Sequence, residues 1–319
     1  GTNEQGLALM KLADLLILVV TFGSAAVAVA LPVLGTPFQP YIPFFLMIML
    51  FLSFLRIDFR ALLNMSAASL LRLVALTTVK LVALPALLYW LTLLVLPEYA
   101  VPVLLLTGIS TGVVGPFIAG LVGAEMALVL RMVIVTTLLV PFTLPPLVKV
   151  LAGAEVVVPL GMMIRLLVGV IFVPVLVVLF LRRYFPRVPE KIAARQYPVS
   201  LFMFALINFG VFSKYSDFFF QHPLEILLSI GVAYVAAVIY YVTGFALSPG
   251  LSVPEKMAAA VSFGVMNNVL VIVFASRFFG PLAPTLATMY MFPFFTMIIP
   301  LRMIGERSRT KSVLQGELS

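Results

Sequence analysis

The chain has 319 residues, of which 63% are hydrophobic and only 10% charged, and its mean hydropathy is +1.21. Those values lie far outside the soluble globular range and define an integral membrane protein whose first partner is the lipid bilayer. The net charge of +8 is no nucleic-acid signature, because the basic residues sit at helix ends, and a sequence without cysteine excludes disulfides, thiolate chemistry and thiolate-bound metal.

In chain order, apolar spans fall near Leu7–Leu34, Tyr41–Leu55, Ser66–Leu96, Val101–Gly123 and Glu125–Leu151, then Val157–Phe185, Tyr197–Tyr215, Leu224–Leu247, Pro254–Phe279 and Pro281–Ile304. At roughly 20 apolar residues per crossing they predict ten transmembrane helices, an all-α membrane fold with no room for a soluble domain. Pro40 and Pro43 shorten the second helix at its start, and Gly1–Gly6 reads as a trimmed terminus with no cleavable signal peptide. Alternate connections carry Arg56, Arg60 and Arg72, then Arg182, Arg183, Arg187, Lys191 and Arg195, then Lys256, then Arg302, Arg307, Arg309 and Lys311. The opposite loops hold Glu98, Lys149 with Glu155, Lys214 with Asp217, His222 and Glu225, and Arg277. The positive-inside rule therefore predicts both termini on the cytoplasmic side of an inner or plasma membrane.

Two stretches interrupt this apolar pattern: Ser110–Ile118, STGVVGPFI, and Ser262–Leu270, SFGVMNNVL. Ser262, Gly264 and Val265 each follow Ser110, Gly112 and Val113 by 152 positions. The same offset relates Tyr241 to Tyr89, Pro293-Phe294 to Pro141-Phe142, and Met162 and Leu167 to Met10 and Leu15. A five-helix repeat has an odd number of crossings, so the two copies, about 7–151 and 157–304, are inverted in the membrane. Broken fourth and ninth helices in an inverted repeat point to a transporter binding site near the midplane. Gly112, Gly115 and Pro116 weaken helix four, and freed amides there form a half-helix N-terminus suited to an anionic group. Gly264 loosens helix nine, while Asn267 and Asn268 supply donors and acceptors. The substrate-binding candidates are Ser110, Thr111, Gly112, Gly115, Pro116, Ser262, Asn267 and Asn268. The competing reading of the same residues is helix kinking, close packing and Asn bridges between helices.

LSFLRIDFRALL after helix two, VKLVALPALLYW in helix three, TGISTGVVGPFIAGLVGAEMAL across helices four and five and VPEKMAAAVSFGVMNNVLVIVFASRFFGPLA in helix nine resemble the bile acid:sodium symporter family in order and spacing. The resemblance covers most of the chain. It implies a panel of helices one, two, six and seven and a core of helices three to five and eight to ten, with helices four and nine crossing. It also implies transport of organic anions such as bile acids, steroid conjugates, pantoate or keto acids, with sodium as the usual co-substrate.

This chain departs from the family pattern at the ion positions. The family's helix-nine glutamate falls on Phe263, its helix-three glutamine on Lys80, and its Ser-Asn pair in helix four on Gly115-Pro116. The hydroxyl ligands expected on helix five fall near Val129 and Val133, with Thr136 and Thr137 further along. Lys80 lies about 14 residues, roughly 20 Å, into helix three, near the bilayer middle, where an intramembrane charge is a functional-site hypothesis by default. Its ammonium is placed to act as a fixed internal cation, or to give up its proton when desolvated. The alternative is a lysine that reaches an interface or a distant carboxylate.

Among the other charges, Arg131 reads as snorkelling, Asp14 as pairing with Lys11, and Arg165 and Arg277 as interfacial. His222 stands beside Pro223 with no partner that suggests a metal or a triad, and Met266 suits an adaptable apolar wall. With no metal cluster, paired carboxylates or nucleophile within the spans, an enzyme is not expected and no cofactor is called for. The leading function is a secondary transporter of a small or amphipathic organic anion by alternating access, acting as a monomer. Sodium symport is the family expectation, and sodium-independent or proton-linked movement is the alternative that Lys80 and Phe263 raise. A non-transporting membrane receptor with the same fold is the third reading.

Overall fold

The computed structural model describes residues 16–17, 19–62, 65–153 and 159–316, the side chains of 308–316 excepted. Met10, Lys11, Asp14, Leu15 and Glu155, and the side chains of Arg309 and Lys311, lie outside the described residues. In order come α1 (Val19–Ala30), α2 (Ile42–Phe54), α3 (Ala67–Val95), α4a (Ala100–Thr107), α4b (Gly115–Val122), α5 (Met126–Ala152) and α6 (Leu160–Tyr184). They are followed by α7 (Gln196–Ser213), α8 (Pro223–Ala246), α9a (Val253–Gly264), α9b (Asn268–Phe278) and α10 (Leu282–Arg307).

Seven of the described helices are long and apolar enough to cross a membrane: Pro32–Phe54, which contains α2, then α3, α5, α6, α7, α8 and α10. The chain is a multi-pass, all-helical membrane protein. The sequence reading expects ten crossings. The difference lies in α1, whose expected first half is outside the described residues, and in the two interrupted helices, whose halves are each too short to span alone.

Local chemistry explains where the helices start, stop and deform. Ser252 and Glu255 form a capping box at the start of α9a, with Pro254 in its first turn. Gly123 ends α4b in the left-handed region at φ 74°, a conformation that favours glycine. Within α3, Pro85 has no amide to offer the carbonyl of Leu81, and the turn Val79–Ala83 is a π-helix, closed from Leu84 N to Val79 O. Lys80 sits inside that widened turn.

The chain divides into two compact units. One comprises the chain up to Arg56 with Gly169–Glu225, and so holds α1, α2, α7 and most of α6. Its helices meet closely at small residues: a Cβ on Gly35 would stand 2.1 Å from the Phe209 carbonyl, and one on Gly210 would stand 2.8 Å from Ile42. The buried Asn208 amide donates to Thr21 O (3.2 Å) and Ser24 Oγ (2.9 Å), and Arg182 donates to Leu55 O (2.8 Å). The second unit comprises Ile57–Val168 and Ile226–Ser319, and it contains both interrupted helices. At the start of α9a, Arg72 from α3 donates to Glu255 Oε1 (3.1 Å) and Ser248 Oγ (3.4 Å).

Candidate functional site at the crossing of two interrupted helices

Helix four stops at Thr107 and resumes at Gly115; helix nine stops at Gly264 and resumes at Asn268. The two interruptions run past each other as a single antiparallel bridge, Thr111 with Met266, closed by Gly112 N to Val265 O (2.7 Å) and Asn267 N to Ser110 O (3.1 Å). Peptide groups freed by one broken helix are therefore satisfied by the other, which is the condition for irregular backbone inside an apolar protein. Gly112 is required by this approach: a Cβ there would lie 2.9 Å from Met266 O. Pro116 falls in the first turn of α4b, where its missing amide belongs to the unbonded set, so it starts a half-helix as much as it stops one.

The last carbonyls of α9a each receive a side chain from a different element. Thr111 Oγ1 donates to Ser262 O (2.7 Å), Lys80 Nζ to Phe263 O (3.0 Å) and Tyr290 OH to Gly264 O (2.7 Å). Tyr240 OH closes α4a in the same way, donating to Thr107 O (2.9 Å) and approaching Lys80 O (3.4 Å). Thr136 Oγ1 accepts from Thr111 N (2.9 Å) and so ties the break in helix four to α5.

Lys80 is fully buried and is the one buried formally charged residue among the described residues; no carboxylate lies within ion-pair distance of it. Its Nζ stands 5.4 Å from the centroid of the Tyr240 ring and 5.9 Å from that of Phe263. Removing an ammonium from water costs several kcal/mol even after relaxation. Against that stand about 1.5–3 kcal/mol for a hydrogen bond to a charged group, up to about 2 kcal/mol for a cation at a helix C-terminus, and about 2 kcal/mol for desolvated cation–π contact. The first two overlap, since both describe the same carbonyl end, so carbonyl dipoles and ring faces offset part of that cost without an acid.

Across the crossing the side chains behave differently. Ser110 Oγ, Asn267 Nδ2 and Asn268 Oδ1 are buried and meet no protein hydrogen-bond partner. Asn267 uses its oxygen to cap α9b at Leu270 N (3.3 Å), and the Asn268 amide lies 3.4 Å from Met291 Sδ. Buried polar atoms are nearly always paired, so three orphans on two adjoining segments make the crossing a candidate site for a polar ligand. Thr137 Oγ1 and Tyr241 OH are also buried and unpartnered.

Of the residues singled out in the sequence, Ser110, Thr111, Gly112, Ser262, Phe263, Asn267, Asn268 and Lys80 meet at or beside the crossing. Two hydroxyls among them are committed to backbone: Thr111 as above, and Ser262, whose Oγ donates to Ala258 O (2.7 Å). Gly115 begins α4b, and a Cβ there would stand 2.9 Å from Val129, so its role is close packing against α5. Arg131 Nε donates to Ala61 O (3.1 Å), in the connection after α2. His222 Nδ1 lies 2.8 Å from Glu225 Oε1 and its ring stacks on Phe218 at 5.0 Å. Tyr240, Tyr290 and Tyr241 were not singled out as site residues. The signal was there, since a tyrosine inside an apolar span must find a partner for its hydroxyl.

A shallow depression lined by Met47, Ile48, Phe51, Val173, Pro174 and Val177 lies in the first unit; with only apolar side chains around it, it suits a lipid chain better than an anion. A family model, described as the Sodium Bile acid symporter family, matches residues 43–222, more than half of the chain. No curated protein matches it.

Proposed function

Because this chain belongs to the sodium bile acid symporter family, whose members are transporters and not enzymes, we propose that it is a secondary transporter of a small or amphipathic organic anion. The observation that carries this reading is the pair of unpartnered buried donors, the Ser110 hydroxyl and Asn267 Nδ2, where two interrupted helices cross; Asn268 Oδ1, also unpartnered, only accepts and suits a donor group on the organic body. The donor Asn267 Nδ2, the Ser110 hydroxyl and the amide start of α9b suit a carboxylate or sulfonate, and the apolar surroundings, Met266 and Met291 among them, suit an adaptable organic body.

Transport proceeds by alternating access in this reading. The ten-crossing inverted repeat, with panel helices one, two, six and seven and core helices three to five and eight to ten, supplies two bodies that move against each other. Support comes from the division of the described chain into one unit with α1, α2, α7 and most of α6 and another with both interrupted helices. Support for inversion comes from the antiparallel sense of the Thr111–Met266 bridge. The asymmetric distribution of Arg and Lys supports cytoplasmic termini.

Purified protein in proteoliposomes, offered labelled taurocholate, pantoate and pyruvate, is expected to take up at least one of them above protein-free vesicles. Folded protein that binds one of these anions but moves none would replace transport with the receptor reading.

A further inference from the structure

A half-helix that ends inside a membrane protein presents partially negative carbonyls, and such an end attracts a cation. Here α9a ends on Ser262, Phe263 and Gly264, and the group on the middle carbonyl is the Lys80 ammonium, 3.0 Å from Phe263 O. The end of α4a is tied to the same place through Tyr240, whose hydroxyl reaches both Thr107 O and Lys80 O and whose ring lies 5.4 Å from Nζ. No carboxylate lies within ion-pair distance of Lys80; α8 brings the Tyr240 ring and α9a the Phe263 ring, whose side chain supplies no oxygen ligand. An alkali cation needs several oxygen ligands, and the position where it would neutralise the carbonyl end is filled by nitrogen. At this carbonyl end the groups present do not fit a bound sodium ion.

We propose that Lys80 is a built-in counter-cation: its ammonium takes the place of a co-transported alkali cation at the end of α9a, so that an organic anion crosses with no cation beside it. The inference rests on the transporter reading for its role in a cycle, but the ion chemistry at α9a can be tested without a transported substrate. With a monoanion bound at the crossing the second unit carries Lys80 and its counter-charge together. Without it Lys80 returns uncompensated, so each cycle moves one negative charge and no sodium.

The test is equilibrium binding of radioactive sodium to the purified full chain in detergent, with its thermal midpoint compared in sodium and choline chloride at equal ionic strength. Wild type is expected to show no saturable sodium binding and the same midpoint in both salts. Lys80→Gln, which replaces the ammonium with an amide oxygen, is expected to gain saturable sodium binding and a midpoint raised by sodium but not by choline. Lys80→Arg, which keeps the charge, is expected to remain indifferent. Saturable sodium binding to wild type overturns the proposal, as does a folded Lys80→Gln that gains none. Should Lys80→Gln fail to fold, the wild-type and Lys80→Arg measurements still decide it. In the vesicle assay, uptake that survives replacement of sodium by choline supports it, and uptake that needs sodium overturns it while leaving the transporter reading intact. No uptake of any anion counts against the transporter reading alone.

Discussion

The two sides of the crossing handle the same problem in opposite ways. On the carbonyl side, at the end of α9a, Thr111, Lys80 and Tyr290 each close one backbone oxygen. On the asparagine side, Ser110, Asn267 and Asn268 are also buried, yet each keeps a polar atom without a protein partner. A broken helix in an apolar medium obliges the protein to satisfy its backbone, and these three side chains do so for Ser262, Phe263 and Gly264. Nothing obliges it to leave side-chain atoms unsatisfied a few residues away. The difference separates the groups that close the backbone of the break from the atoms that the proposed transport site would use.

Gly264 tests that division most severely. An added Cβ would lie 2.3 Å from the Tyr241 ring, closer than real contacts allow. Gly264→Ala is therefore expected to destabilise the protein by about 1–3 kcal/mol, the usual range for overpacking. Thermal denaturation in detergent checks this, and the double variant Gly264→Ala, Tyr241→Ala should recover part of the loss. A full-sized effect unchanged in the double variant would place the strain in the backbone and not against the ring.

Next in size is Tyr290→Phe, which keeps the ring and removes the donor to Gly264 O. The carbonyl stays buried without a partner, at a cost of about 1–3 kcal/mol. Thr111→Val does the same to Ser262 O and should fall in the same range. Each is measured as a lower thermal midpoint. If both variants melt like wild type, the carbonyl side does not hold the break and the contrast between the two sides collapses.

How much of this was legible beforehand depended on whether the signal was local. The breaks were readable because glycine, proline and asparagine interrupt an apolar run at matching positions, and Lys80 was readable because a lysine so far inside a span has no ordinary reason to be there. Which atoms each polar group touches was not readable. Ser262 and Thr111 look like ligands in sequence, but Ser262 bonds back to Ala258 in its own helix and Thr111 reaches a carbonyl 151 positions away. The tyrosines were missed because their importance lies wholly in long-range partners: Tyr240 to Thr107, Tyr290 to Gly264. Phe263 was read as a lost carboxylate. In the fold it also contributes its backbone carbonyl to Lys80 and an aromatic face beside Nζ.

The smallest expected effect on stability is the sharpest test of the asparagine side. Ser110 Oγ has no protein partner, although its residue is wholly buried and its carbonyl accepts from Asn267 N. Ser110→Ala removes one oxygen and no observed side-chain hydrogen bond, and it leaves the bridge between the two breaks intact. Its thermal midpoint should not fall, because the buried hydroxyl that is removed has no protein partner to lose and its desolvation is no longer a cost. Anion uptake should nevertheless fall, by about fivefold to tenfold if the hydroxyl gives the anion a hydrogen bond worth about 1–1.5 kcal/mol. Asn268→Ala should show the same separation less cleanly, because it also loses the contact with Met291. A Ser110→Ala protein that melts early would make the hydroxyl part of the scaffold. One that melts normally and transports normally would remove it from the site, and the anion would then have to be held by Asn267 and the amide end of α9b alone.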